Sequence, residues 1–204
     1  MSEPVQITAI VFDLWETLAT KNIGVSKTIQ AKFGIPQSPN FLVDYEKSVQ
    51  LKAWGTEGDM AAKFLTDFGI ENSLENNQFV QQVFRTGIER ATLFDGIPEL
   101  LGELKNAGLK LGLLSNTTVF EAVVLDKLNI SRFFDVMTFS WQTGVLKPDK
   151  LAFKSVLDKL GSLAEETLFV DDTERHVVAA RKYGLQAVQF QSVMSIQAEL
   201  EKYY

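Results

Sequence analysis

Short runs of apolar and β-branched residues recur along the chain and predict strands. The first run covers residues 7–12 and ends abruptly at Asp13. Runs without alternating polar residues are typical of strands that are buried on both faces, as in a parallel sheet. We predict strands over residues 7–12, 109–114, 136–139, 167–170 and 185–190.

Between these runs, apolar residues follow helical spacing. Leu100, Leu101 and Leu104 follow Ile97 at the intervals that place side chains on one face of a helix, and Gly108 comes after the last of them. The other predicted helices here cover residues 121–128, 149–160 and 174–183. Because helices and strands alternate from residue 95 onward, we predict an α/β fold with a Rossmann-like, doubly wound parallel sheet and right-handed crossovers.

Residues 20–92 break this alternation. Their pattern predicts no strand, and it predicts helices over residues 25–33, 41–54, 59–68 and 78–91, separated by turns rich in Gly, Pro and Asn. We therefore predict two domains. Residues 1–19 and 93–204 form an α/β core domain, and residues 20–92 form a helical cap domain.

Composition excludes several chemistries. The 204 residues contain no Cys and one His, His176, which excludes disulfides, thiolate nucleophiles and zinc sites built from Cys or clustered His. The net charge of −6 argues against binding to nucleic acid or to anionic membranes. The first residues do not resemble a signal peptide, and no apolar run approaches the roughly 20 residues of a membrane span. We expect a cytoplasmic protein, either a monomer or a homodimer.

Polar residues follow three of the predicted strands. Asp13, Ser115 and the pair Asp171-Asp172 each come after an apolar run. Ligands of open α/β sheets bind beyond the carboxyl ends of the strands, so these side chains are expected to meet there. Neighbouring carboxylates repel each other unless a cation lies between them, and oxygen ligands favour Mg²⁺.

Five segments extend this pattern over nearly the whole chain. In chain order they are residues 11–18 (VFDLWETL), 94–98 (FDGIP), 113–116 (LLSN), 147–149 (KPD) and 169–173 (FVDDT). In that order they resemble the motifs of the haloacid dehalogenase superfamily of aspartyl-nucleophile hydrolases and phosphatases. Residues 94–98 resemble the segment in which the chain of such proteins re-enters the core after a helical cap.

The resemblance implies a role for each matching residue at the centre of the reaction. Asp13 is the implied nucleophile, which becomes an aspartyl-phosphate. Ser115 and the backbone N–H of Asn116 bind phosphate oxygens, and Lys147 balances the charge of carboxylate and phosphate. The resemblance also implies that Thr17 is a substrate-binding residue and that it fixes the turn after the nucleophile by hydrogen bonding.

The resemblance also implies a Mg²⁺ site. Its ligands are Asp13, the backbone carbonyl of Trp15, and the pair Asp171 and Asp172, with Asp172 the more direct ligand of the two. The implied substrate is a small phosphorylated molecule. His176 is expected to cap its helix or to position a neighbouring residue.

Trp15 departs from the pattern of the superfamily's phosphatases. The position two residues after the nucleophile is usually a second Asp, which protonates the leaving alcohol and later activates water. Tryptophan does neither, and loss of a general acid or base typically costs 10²–10⁴-fold in rate. Three hypotheses follow: a slow phosphatase that favours good leaving groups, a metal-independent 2-haloacid dehalogenase whose halide leaves unprotonated, or a degenerate module that binds phosphate or metal.

Overall fold

The structure, a computed structural model, describes residues 6–200. Residues 1–5 and 201–204, which belong to the predicted core domain, lie outside the described residues. Five parallel strands form the central sheet in the order β5-β4-β1-β6-β7. They are β1 (Ala9–Phe12), β4 (Lys110–Ser115), β5 (Val136–Phe139), β6 (Thr167–Asp171) and β7 (Gln186–Gln189). Each overlaps a predicted strand, so the predicted parallel sheet is confirmed.

Helices cover both faces of this sheet. The helices of this region are α5 (Ile97–Asn106), α6 (Val124–Lys127), α7 (Ser140–Thr143), α8 (Lys150–Leu160), α9 (Glu174–Tyr183) and α10 (Val193–Leu200). On β1, Ile10 and Phe12 pack into the apolar cluster that includes α5, α6 and α10, whereas Ala9 and Val11 pack into the cluster with α8 and α9. Alternate residues of a strand point to opposite faces, so both faces of β1 are buried. The predicted doubly wound α/β class is confirmed.

Residues between β1 and β4 form a second group of helices. These are α1 (Val25–Phe33), α2 (Phe41–Val49), α3 (Glu57–Asp67) and α4 (Leu74–Arg90). They pack around an apolar cluster of their own, in which the Tyr45 and Phe84 rings stack with centroids 6.2 Å apart. The proposed cap domain over residues 20–92 rests on this separate cluster.

The junctions of this helical region contain strands that the pattern does not predict. Strand β2 (Ala19–Thr20) pairs with β3 (Thr92–Leu93) in antiparallel orientation. Two-residue strands carry no periodic signal, and this pair forms only because the two ends of the helical region come together.

Some predicted helix ends also need correction. Helix α2 ends at Val49 rather than at residue 54, and the indole N–H of Trp54 donates to the Val49 carbonyl over 2.8 Å. That side chain satisfies one of the carbonyls that every helix end leaves free. Residues 121–128 divide into a 3₁₀ turn (Glu121–Val123) and α6, and α10 is not predicted. Among residues 6–200, no helix has the length and apolar character to cross a membrane.

Candidate active site

The predicted cluster of polar side chains forms at the carboxyl end of the sheet. Asp13 follows β1 directly, and Asp171 ends the neighbouring strand β6. Lys147 lies between them, with its Nζ 2.6 Å from Oδ1 of Asp13 and 2.7 Å from Oδ2 of Asp171. All three side chains are almost completely buried. Residues that are separated by more than 130 positions in the chain therefore meet where the sequence predicts.

Local structure fixes the positions of Lys147 and Asp171 beside Asp13. Asp149 caps α8 by accepting from the backbone N–H of Leu151 over 2.8 Å, which sets where the helix after Lys147 begins. Asp171 accepts from the backbone N–H of Thr173 over 2.8 Å, and Nδ1 of His176 lies 3.0 Å from the same carboxylate oxygen. His176 therefore positions Asp171, as predicted for a residue at the start of α9.

The carboxylates of this cluster differ in their readiness to ionise. Burial raises the pKa of Asp13 to about 7, although Lys147 opposes the shift. Burial also acts on Asp171, but Lys147 and His176 outweigh it and hold the pKa of Asp171 at about 2. Burial, and then the charge of Asp171, raise the pKa of Asp172. One lysine thus compensates a group of three aspartates, which leaves a surplus of negative charge.

These three aspartates are the candidate metal ligands. One carboxylate oxygen from each of Asp13, Asp171 and Asp172 can be chosen so that all lie within 4.8 Å of one another. Asp171 already accepts from Lys147, His176 and the Thr173 backbone, whereas the carboxylate of Asp172 accepts from the Thr173 hydroxyl over 3.2 Å. Of these two carboxylates, that of Asp172 accepts fewer hydrogen bonds.

Two predicted substrate ligands have positioning roles in the structure. The Asn116 side chain accepts from the backbone N–H of Lys147 over 2.8 Å and donates to its carbonyl over 3.1 Å, so it holds Lys147 in place, and Asn116 also lines the cavity described below. The Thr17 hydroxyl accepts from the backbone N–H of Asp172 over 3.1 Å, and Thr17 is fully buried. Thr17 is not among the residues that line the cavity described below, so its part in substrate binding stays a prediction.

Ser115 lies at the end of β4, the strand on the other side of β1. Its side-chain oxygen is buried and finds no hydrogen-bond partner among residues 6–200. Buried hydroxyls without a partner are uncommon in proteins, and each calls for an explanation. Ser115, like Thr17, is not among the residues that line the cavity described below, so its hydroxyl would reach a ligand there only after rotation about χ1.

Trp15 is held by a second group of buried polar residues. Its indole N–H donates to the Thr117 hydroxyl over 3.1 Å, and the Lys21 ammonium lies 4.3 Å from the centre of its ring. Lys21 also forms an ion pair with Glu121, which is fully buried. Glu121 in turn accepts from the Thr118 hydroxyl over 3.0 Å. These contacts fix the residue that stands where the superfamily's phosphatases usually have an Asp.

A cavity of about 250 Å³ joins the two groups. Asp13, Trp15, Lys147 and Asp172 line it from the core, and Lys21 lines it from the start of the helical region. Helix α2 and the segments beside it complete the wall with Leu42, Tyr45, Glu46 and Gln50, and Ile23 and Val25 contribute apolar surface.

Sequence analysis does not single out the polar residues that the helical region contributes. Lys21, Glu46 and Gln50 belong to no recognisable motif, and their place depends on packing between distant segments. Three other cations do not line the cavity: Lys52 lies over the Trp54 ring, Arg85 pairs with Glu57, and Arg90 is exposed.

Comparison with known families decides the classification. Residues 7–184 match the family model of haloacid dehalogenase-like hydrolases. The chain belongs to this family. The family resemblance predicted from the five sequence segments is therefore confirmed.

Within this family, the similar curated proteins include phosphatases. A phosphoglycolate phosphatase of Yersinia pestis is 29% identical over 189 residues, which cover 87% of this chain and 78% of that protein. A phosphoglycolate phosphatase of Salmonella typhimurium is 34% identical over 101 residues, and the match covers 49% of this chain and 40% of that protein.

Solved structures of the family have the same fold. A haloacid dehalogenase family enzyme of Bacteroides thetaiotaomicron, in complex with magnesium and inorganic phosphate, superimposes with a TM-score of 0.68. The two chains are 19% identical, and the match covers 92% of this chain and 96% of that chain. At this identity the likeness shows the fold alone.

Proposed function

We propose that this hydrolase is a Mg²⁺-dependent phosphatase that acts on a small phosphorylated metabolite through an aspartyl-phosphate at Asp13. The observation that carries the proposal is the surplus of carboxylates around Asp13, where Lys147 compensates one charge among three aspartates at the wall of a cavity of about 250 Å³. The phosphatase names of the relatives and the magnesium and phosphate bound to one structural neighbour support it.

The residues present fit a magnesium ion. The donor set consists of carboxylate oxygens, which Mg²⁺ prefers, and a dication would offset the uncompensated negative charge. Asp13, Asp172 and the Trp15 carbonyl would hold the ion, and Asp171 would complete the set while keeping Lys147 in place. When bound, Mg²⁺ supplies positive charge that lets a phosphate approach a carboxylate.

The protein's own residues account for the remaining steps. A carboxylate oxygen of Asp13 forms a bond to phosphorus while the bond from phosphorus to the ester oxygen breaks. Lys147 stays within hydrogen-bond distance of Asp13 and offsets its charge. The unpartnered hydroxyl of Ser115 donates to a phosphate oxygen after rotation. Water then attacks the phosphorus, the bond between phosphorus and the Asp13 oxygen breaks, and phosphate and the Asp13 carboxylate are released. The proton that this water loses neutralises the hydroxide left when the alcohol took its proton from solvent.

Trp15 explains why this phosphatase is expected to be slow. Its indole N–H already donates to Thr117, and an indole has no proton to give up near neutral pH. The leaving oxygen therefore takes its proton from water. Good leaving groups such as aryl or acyl phosphates need no such proton, so they are the expected substrates of highest rate.

The competing proposal is a 2-haloacid dehalogenase. Trp15 favours it because a halide leaves without protonation, whereas the carboxylate surplus around Asp13 opposes it because that reaction needs no metal. A degenerate module that binds phosphate or metal is the third alternative. Its distinguishing result is binding without turnover.

One assay separates the three. Purified protein is incubated with an aryl phosphate in Mg²⁺ or in EDTA, and with 2-chloropropionate in EDTA, while phosphate and halide release are measured. The proposal expects phosphate release that requires Mg²⁺. Halide release in EDTA supports the dehalogenase, and metal binding by calorimetry with no product from either compound supports the module.

The role of Trp15 has a test of its own. Trp15→Asp restores a proton donor, so kcat with an alkyl phosphate should rise at least about tenfold while kcat with the aryl phosphate changes less. Trp15→Phe is the matched control, because it removes the indole without adding a carboxylate. Equal rates for the Asp and Phe variants, both folded by circular dichroism, contradict the explanation of slow turnover.

A further inference from the structure

Two polar side chains that the helical region contributes to the cavity wall have unused hydrogen-bonding capacity. The first is Gln50, which lines the cavity and is 5% exposed. Its Oε1 is buried without a hydrogen-bond partner among the described residues. The backbone of Gln50 is fixed, because its carbonyl accepts from the Ser140 hydroxyl of the core over 2.7 Å and its N–H donates to the Glu46 carbonyl over 2.8 Å. The terminal torsion of a glutamine is soft, so the amide can turn towards a ligand at small cost.

The second side chain is Lys21. An ammonium group has three N–H donors, and the ion pair with Glu121 engages one. In the part of the chain that the structure describes, no other acceptor is found for this group. The stem of Lys21 passes close to Gly87, where an added Cβ would lie 3.3 Å from Cδ of Lys21 and 2.9 Å from Cγ2 of Val25. The lysine is therefore held over Trp15 with donors to spare.

The charges around Lys21 decide which ligand suits it. Glu121 already neutralises Lys21, and the cavity is also lined by Glu16 and Glu46, the latter paired with Arg175. A second anion placed beside Lys21 would approach these carboxylates. A neutral ligand avoids that repulsion.

A hydroxyl group matches both side chains. A hydroxyl can accept from the Lys21 ammonium, and the same or a neighbouring hydroxyl can donate to Oε1 of Gln50. The swapped orientation of the amide is served equally well, because a hydroxyl can also accept. A carboxylate accepts but does not donate, and an alkyl chain does neither. A ligand that leaves a buried polar group of the site unpaired loses binding free energy, and this loss makes such a site selective.

We propose that Lys21 and Gln50 form a subsite for the hydroxyl groups of the leaving alcohol, so that this chain prefers phosphate esters of small neutral polyols to those of small hydroxy acids. The inference rests on the phosphatase function proposed above and adds the chemical class of the leaving group. A cavity of about 250 Å³ limits the polyol to a small one. The preference runs against the phosphoglycolate named for the relatives, whose leaving group carries a carboxylate.

The test compares matched esters on the intact protein with Mg²⁺. Phosphate release is measured from glycerol 1-phosphate, propyl phosphate, 2-phosphoglycolate and an aryl phosphate, and kcat/KM is compared as a ratio within each protein. The wild type should prefer glycerol 1-phosphate to propyl phosphate and to 2-phosphoglycolate by about tenfold or more. Gln50→Met keeps the length of the side chain and should bring the glycerol-to-propyl ratio close to one.

Two further variants make the result specific. Lys21→Met combined with Glu121→Gln removes the ammonium without leaving a buried carboxylate unpaired, and the same ratio should fall. Ser48→Ala is the matched control. Its side-chain oxygen is also buried without a partner two residues from Gln50, but Ser48 does not line the cavity, so the ratio should stay at the wild-type value.

The outcomes separate this inference from the proposed function. Release from the aryl phosphate with no preference for glycerol 1-phosphate, or with a preference for 2-phosphoglycolate, overturns the subsite alone. A wild-type preference that Gln50→Met leaves intact also overturns it. No Mg²⁺-dependent release from any of the four esters overturns the phosphatase itself, and the inference falls with it.

Discussion

Two largely buried groups of charged residues adjoin the same cavity, and they differ in charge balance. The aspartate cluster, formed by Asp13, Asp171, Asp172 and Lys147, has three carboxylates for one lysine. The Lys21–Glu121 pair has one charge of each sign, and its carboxylate accepts from Thr118 and Thr117 as well. The first group is incomplete without another cation, whereas the charges of the second group balance within the protein, even though Lys21 keeps N–H donors for a neutral ligand.

The difference shows how a structural ion pair can be told from a reaction site. A buried charge is tolerated when it is paired and hydrogen-bonded, and Glu121 meets both conditions. Asp13 is paired with Lys147, yet burial still raises its pKa to about 7. Surplus charge of one sign with a perturbed pKa is typical of functional sites. The contrast supports the reaction chemistry that we propose for the aspartate cluster, whereas the Lys21–Glu121 pair is a balanced ion pair that needs no further cation.

Asp13→Asn tests the assignment most strongly. Loss of the nucleophile should reduce phosphate release by about 10⁴-fold or more. The folded pKa of about 7 lies above the unfolded value of 3.8, so the ionised carboxylate destabilises the metal-free fold increasingly as the pH rises from about 4 to 7, and fully above that range. At pH 8 without metal, the variant should therefore have a Tm at least about 2 °C higher, the shift expected from one kcal/mol in a domain of this size.

Differential scanning calorimetry measures this change in Tm. Asp158→Asn is the control, because Asp158 is exposed and its pairing with Lys154 contributes little. Retained turnover, or a lower Tm at pH 8, contradicts the prediction that Asp13 is required for the reaction and destabilises the fold.

Breaking the balanced pair should have the opposite effect on stability. Lys21→Met leaves the fully buried Glu121 uncompensated and should lower the free energy of unfolding by about 3 kcal/mol. Adding Glu121→Gln to Lys21→Met should recover much of that loss. Urea denaturation of both single variants and of the double variant measures the coupling.

Lys154→Met is the matched control for the pair. It breaks an exposed ion pair and should cost less than about 1 kcal/mol. Additive losses for the Lys21 and Glu121 variants would show that the pair is not a unit.

Sequence patterns predict the sheet because a strand that is buried on both faces consists of apolar residues. Strand β1 is covered on both faces, and its residues are all apolar. The short pair β2 and β3 and the early end of α2 are missed for a shared reason. They depend on contacts made after folding, such as the Trp54 indole reaching the Val49 carbonyl. Such contacts produce no periodic pattern in the sequence around these residues.

The same contrast holds for the site. Asp13, Ser115 and Asp171 stand at strand ends, so the topology of a parallel sheet brings them together before any side-chain detail is known. Lys21 and Glu121 stand 100 residues apart, one after a two-residue strand and one in a 3₁₀ turn. Only the packing of the helical region on the core makes them partners. Lys21, which we propose selects the substrate, is therefore a residue that a single sequence does not reveal.

The effect of pH on Mg²⁺ binding gives the finest test of the comparison. Mg²⁺ binds the ionised carboxylate, so with a pKa of about 7 the affinity should fall about tenfold between pH 8 and pH 6. Asp171, with its pKa at about 2, stays ionised throughout this range and adds nothing to the change. Calorimetric titration in two buffers of different ionisation enthalpy measures both the affinity and the proton released on binding.

Asp13→Asn should bind more weakly and lose most of the pH dependence, whereas Glu121→Gln should keep it, because Glu121 belongs to the balanced pair. Equal affinities at pH 6 and pH 8 in the wild type would show that Asp13 is already ionised without metal, and the two groups would then differ only in the number of carboxylates.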